Sequence, residues 1–110
     1  MLHSENDTVQ AVFSSFADDP VMGEMVELYV SEMPERIAAL EEAFAAGDLG
    51  ALQRLAHQMK GAAGSYGFDG LTSVARTLEF SVKEGEPMEA VDSALQDLVG
   101  VCRRVRAGAP

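Results

Sequence analysis

Residues 57–67, HQMKGAAGSYG, set a lysine three positions after a histidine and glycines four and seven positions after it. A neutral imidazole is a nucleophile near pH 7, and the nitrogen that attacks is decided by whatever holds the other one. Lys60 stands one helical turn from His57, so a positive charge lies beside anything the ring carries. Each glycine weakens a helix interior by about 1 kcal/mol relative to alanine. Their bare backbone, however, admits close approach by another chain. Nucleophile, cation and cleared surface together suit a covalently bound anion, phosphate above all. A metal site fits poorly, because His3 is the only other histidine and positions 53 and 61 hold Gln and Gly.

Plotting the helix around this motif gives the direction of the ring. With Leu49 at zero, the apolar positions Leu52, Leu55, Ala56, Met59, Ala63 and Tyr66 centre at about 280°, and His57 falls at about 80°, close to opposite. The histidine should therefore face solvent, with Gln53, Gly61 and Gly64 on its own face and Lys60 to one side. An exposed histidine on a helix is by itself ordinary surface. The lysine and the two glycines are what argue for more.

The rest of the chain supplies the helices that must hold this face in place. Val9, Val12, Phe13 and Phe16 recur at helical spacing, predicting a short first helix over 7–17. Asp19 and Pro20 then read as cap and first helical residue of a long helix, which Pro34 should kink or divide. Gly47 ends it and Asp48 caps the helix of His57, which fades at Tyr66–Gly67. Asp69 is the expected cap of the next helix, whose stripe is Leu71, Val74, Leu78 and Val82. After KEGEP the last helix carries Met88, Val91, Leu95, Leu98, Cys102 and Val105. No segment alternates with a strand's period of two. The expectation is one all-α domain, an up-and-down antiparallel four-helix bundle over 20–107 with the extra short N-terminal helix packed across one end.

Composition narrows the function. Hydrophobic residues make up 47% of the 110, enough for one core. The formal net charge of −10, with the only basic cluster at Arg103, Arg104 and Arg106, argues against nucleic acid and against an anionic membrane. No apolar run approaches the roughly 18 residues of a membrane span, and the N-terminus lacks the pattern of a secretory signal. The single cysteine fits a reducing cytoplasm.

AHQMKGAAGSYG resembles the core of the histidine-containing phosphotransfer (HPt) domains of phosphorelays: a histidine, two residues, Lys-Gly, then small residues leading to a further glycine, here Gly67. LYVSEMPERIAALEEAFAAGD is similar to that family's preceding helix, and LTSVARTLE to its following one, so the likeness covers roughly residues 21 to 84. The resemblance implies that His57 is the phosphoacceptor through Nε2, that Lys60 helps neutralise the phosphate, and that Gly61 keeps the approach open. It also implies that Glu79, 22 positions after His57, holds Nδ1 and so fixes the tautomer. The residues alone allow a plainer role for Glu79, as the i,i+4 partner of Lys83. Arg76 and Lys83 share Glu79's face and are candidates for meeting phosphate or acidic groups of a partner.

The chain holds no GxxxxGK phosphate cradle and no acidic cluster like a receiver's Mg²⁺ site. It is therefore expected to be a monomeric phosphocarrier with no cofactor and no kinase activity of its own. Its expected partners are receiver domains and a hybrid histidine kinase, and the docking surface should centre on His57 with Gln53, Gly61 and Gly64. Two other readings stay open: the phosphoacceptor domain of a chemotaxis-type kinase, and a helical adaptor that is never phosphorylated. Because the chain begins with Met and stops soon after its last helix, a free-standing protein is the first expectation.

Overall fold

The computed structural model describes residues 11–108. Five helices account for most of them: α1 (Met22–Ser31), α2 (Met33–Ala45), α3 (Leu49–Ser65), α4 (Asp69–Lys83) and α5 (Met88–Arg104). Two short strands, β1 (Val12–Phe13) and β2 (Val105–Arg106), pair in parallel. α3 packs on α4, α4 on α5, α5 on α2 and α2 on α3, so each of these four helices touches two others. Their shared interior holds Met33, Ile37 and Leu40 from α2 and Leu52, Ala56, Met59 and Ala63 from α3. Leu71, Ala75 and Leu78 come from α4, and Val91, Leu95, Leu98 and Cys102 from α5. Burying each large side chain here stabilises the fold by roughly 1.5–3 kcal/mol.

Local chemistry explains most of the boundaries. The long helix expected from Pro20 is divided at Glu32, and Pro34 sits in the first turn of α2, where its missing N–H has no intrahelical partner to lose. α1 begins at Met22, later than expected, because the Asp19 carboxylate first takes the N–H groups of Val21 (2.8 Å) and Met22 (3.1 Å) in a turn. Asp48 caps α3, accepting the Ala51 N–H at 3.0 Å. α3 ends at Tyr66 and Gly67, whose φ of 81° lies in the left-handed region that favours glycine. For α4 the cap position falls on Phe68, and Asp69 is the first helical residue, where its charge still complements the N-terminal dipole.

The short first helix expected over 7–17 is not what the chain forms. Its first residues, 7–10, lie outside the described residues. The remainder is β1 followed by turns. Ser14 explains the difference: its Oγ accepts the Phe16 N–H at 2.9 Å and donates to the Tyr66 carbonyl, a local bonding pattern that competes with a helix. Ser15 adds a hydrogen bond from its N–H to the Gly67 carbonyl at 2.9 Å. Residues 11–17 thus form a strap tied at one end to the strand that follows α5 and at the other to the end of α3. The last helix correspondingly stops at Arg104, one residue earlier than its apolar rhythm suggests, because Val105 turns extended to pair with Val12.

Candidate functional site

His57 lies on the outer face of α3, its side chain 65% exposed. The inward positions Leu52, Ala56, Met59 and Ala63 are buried, so the core itself turns the ring outward. α4 runs antiparallel beside α3, and two contacts fix the register. His57 meets Glu79, and seven residues further along α3 Gly64 lies over Thr72, seven residues earlier in α4. The same register sets Lys60 opposite Arg76 and Gln53 opposite Lys83.

The Glu79 carboxylate occupies the seam between the two helices and is the centre of the site. Its Oε2 is 2.7 Å from His57 Nδ1, and its Oε1 is 2.7 Å from Lys60 Nζ. With Nδ1–H donated to a carboxylate, the lone pair of the neutral ring is on Nε2, which points away from Glu79 into solvent. Lys60's hydrogen bond, and after it His57's, hold the Glu79 carboxyl below the ordinary carboxylate range against partial desolvation. The arrangement can orient one nitrogen of one accessible imidazole and keep a cation within a turn of it.

The other expected residues fall around this centre. Gln53 is half-buried, and Gly61 and Gly64 are exposed. A Cβ added at Gly61 would meet nothing within 4 Å, and one at Gly64 only Thr72 Oγ1 at 3.7 Å, an ordinary contact. Packing among the described residues thus requires neither glycine. Gly67 differs: an added Cβ would stand 2.6 Å from Ser15 Oγ, 2.8 Å from Ser14 Oγ and 2.9 Å from the Phe16 ring. Its hydrogen atom is what lets the strap cross the end of α3. Arg76 and Lys83 are exposed and, with Lys60, Glu79 and Phe80, line a depression of about 200 Å³ on the α4 side of the site.

Two features escaped the reading of the sequence. Glu79 grips Lys60 as well as His57, whereas its helical neighbour Lys83 forms no ion pair with it. Phe80, 56% exposed, stands beside Glu79 on the polar side of α4, and its break in that helix's pattern was the available signal. Tyr66 packs against Tyr29, ring centroids 4.8 Å apart, and is part of the core's edge. Cys102 offers no second nucleophile: it is buried against Met59, and burial pushes its thiol up to about 12.

A carboxylate, a cation and an open histidine stand in one place. The family model described as Hpt domain matches residues 24–108. The chain belongs to the Hpt domain family. Membership implies histidine phosphotransfer in a phosphorelay, carried out by a phosphocarrier. No curated protein and no solved structure matched the chain. Among the described residues no helix is long and apolar enough to cross a membrane, and no group of three or more His, Cys, Asp or Glu side chains could hold a metal ion.

Proposed function

We propose that this Hpt domain carries a phosphoryl group on His57 between the aspartates of two receiver domains in a cytoplasmic phosphorelay fed by a hybrid histidine kinase. The observation that carries the reading is the 2.7 Å contact of His57 Nδ1 with Glu79 on an otherwise exposed ring. In the forward step the Nε2 lone pair attacks the phosphorus of a receiver's aspartyl phosphate. The P–N bond forms as the P–O bond to the aspartate breaks, and that aspartate leaves as a carboxylate. The Nδ1 proton stays in the hydrogen bond to Glu79, which balances the positive charge gained by the ring. Transfer to the second receiver is the same exchange in reverse. Phosphoryl transfer relies on positioning and electrostatics, and this domain contributes a positioned nucleophile with Lys60 near the incoming charge.

The proposed scaffold is an up-and-down four-helix bundle formed by α2 to α5, with α1 flanking it. The proposed docking surface is the face bearing Gln53, His57, Gly61 and Gly64, bordered by Arg76 and Lys83. The test is incubation with a phosphorylated receiver. The domain should acquire acid-labile, base-stable label, and His57→Ala should acquire none. Label persisting in that variant would overturn the assignment.

A further inference from the structure

Lys60 is already engaged before any phosphate arrives. Its ammonium rests on Glu79 Oε1 at 2.7 Å, while the nitrogen proposed to accept the phosphoryl group points the other way from Glu79. The two nitrogens of an imidazole diverge, so a phosphate on Nε2 lies on the far side of the ring from that carboxylate. For Lys60 to neutralise it, the Lys60–Glu79 pair has to open. Glu79 would then lose the hydrogen bond that most lowers its pKa just as the ring it orients becomes cationic.

The geometry points to Arg76 as the residue that takes Lys60's place. Arg76 is three residues before Glu79 on α4, within the span over which helical side chains meet. The α3–α4 register sets it opposite Lys60, on the Oε1 side of the carboxylate. It lines the same depression as Lys60 and Glu79, and among the described residues no ion pair commits it elsewhere. Lys83 lines that depression too, but the register carries it toward Gln53, away from Oε1. A guanidinium also matches a carboxylate with a fork of donors, which a second ammonium would not. Arg76 is thus a positioning residue. By taking over Glu79 it frees Lys60 for the phosphate and leaves Glu79 on Nδ1. This role rests on the proposed phosphorylation of His57, but Arg76's reach to Glu79 can be measured without it.

The first measurement is NMR titration of the Glu79 carboxyl carbon in unphosphorylated protein. Lys60→Gln should leave Glu79 below the ordinary carboxylate range because Arg76 moves in, and Lys60→Gln/Arg76→Gln should raise it. If Glu79 rises fully in Lys60→Gln and the second substitution adds nothing, Arg76 does not reach it and the proposal fails. The second measurement is the phosphorylated fraction at equilibrium with a phosphorylated receiver. Arg76→Gln should lower it about fivefold, the worth of one good partly exposed ion pair, and Arg76→Lys, which keeps the charge but loses the fork of donors, should restore part of it. An Arg76→Gln fraction equal to wild type would also overturn the proposal. Wild-type protein that accepts no phosphoryl group would instead sink the functional reading, with the titration still deciding whether Arg76 reaches Glu79.

Discussion

Gly61→Ala separates the two accounts of why a weak helix former sits beside His57. If the glycine serves only the fold, replacing it should harm the fold. The backbone there is helical, and a Cβ would meet nothing within 4 Å among the described residues, so none of them imposes a steric cost. Alanine in place of glycine within a helix stabilises it by up to about 1 kcal/mol. Since Gly61 lies near the end of α3, about 0.5–1 kcal/mol is the expected gain, which for a domain of this size raises Tm by about 2–6 °C. The same methyl group stands one turn from His57 on the exposed face, where a receiver's backbone is proposed to settle. Overpacking a close contact costs about 1–3 kcal/mol, so kcat/KM for transfer from a phosphorylated receiver should fall about 5- to 150-fold.

Thermal unfolding followed by circular dichroism and single-turnover transfer kinetics measure the two effects on one variant. A small donor such as phosphoramidate supplies the control, because it needs no protein backbone near Gly61. It should label Gly61→Ala as fast as wild type. Stability and receiver-dependent transfer are therefore expected to move in opposite directions, with labelling by the small donor unchanged. A variant that loses stability, or that accepts from the receiver at the wild-type rate, would refute the argument that the glycine clears a path for a partner.

Gly67→Ala should act in the reverse sense: its φ of 81° and the 2.6–2.9 Å approaches of Ser14, Ser15 and Phe16 predict a loss of about 2–4 kcal/mol in urea unfolding from strain and the displaced strap. The Glu79 carboxyl, held low by Lys60 and then His57, contributes stability that is present above its unfolded-state pKa and is lost as pH falls through its lower folded-state value. In acid titrations of unfolding free energy, Glu79→Gln should accordingly lose the most relative to wild type near neutral pH and converge with it once the pH has fallen below the folded-state value. Leu28, 62% exposed on α1 in line with Met25 and Val21, should accept glutamate within about 0.5 kcal/mol of wild-type stability.

What could be read from the sequence was whatever a single helix decides for itself. Asp48 at the start of α3, Gly67 at its end, Pro34 at the division before α2 and the outward bearing of His57 all follow from capping, backbone freedom and a 3.6-residue period. The strap was not legible for a physical reason: two-residue strands are too short to show an alternating pattern, and Val12, Phe13 and Phe16 match helical spacing equally well. Ser14's bonds to Tyr66 and Phe16, the Ser15 N–H on the Gly67 carbonyl and the pairing of Val12 with Val105 break the tie, and all but the Phe16 bond depend on residues far along the chain.

The candidate site divides along the same line. A helical wheel places Lys60 beside His57, but it does not say whose charge Lys60 answers. That depends on the register between α3 and α4, which sets Glu79 level with His57 and lets one carboxylate hold a ring nitrogen with one oxygen and the ammonium with the other. Reading Glu79 as a partner of Lys83 was sound for an isolated helix, where i,i+4 pairs are the available neighbours. It fails in the folded chain because a second helix brings a cation to 2.7 Å in a partly shielded seam, where a charge pair is stronger than on the open face. The resting site is consequently occupied: each oxygen of its carboxylate has a partner and its lysine is engaged before any phosphate arrives. Releasing that lysine leaves Glu79 with the ring as its one partner, and the α3–α4 register sets Arg76 at the level from which it is proposed to supply the second.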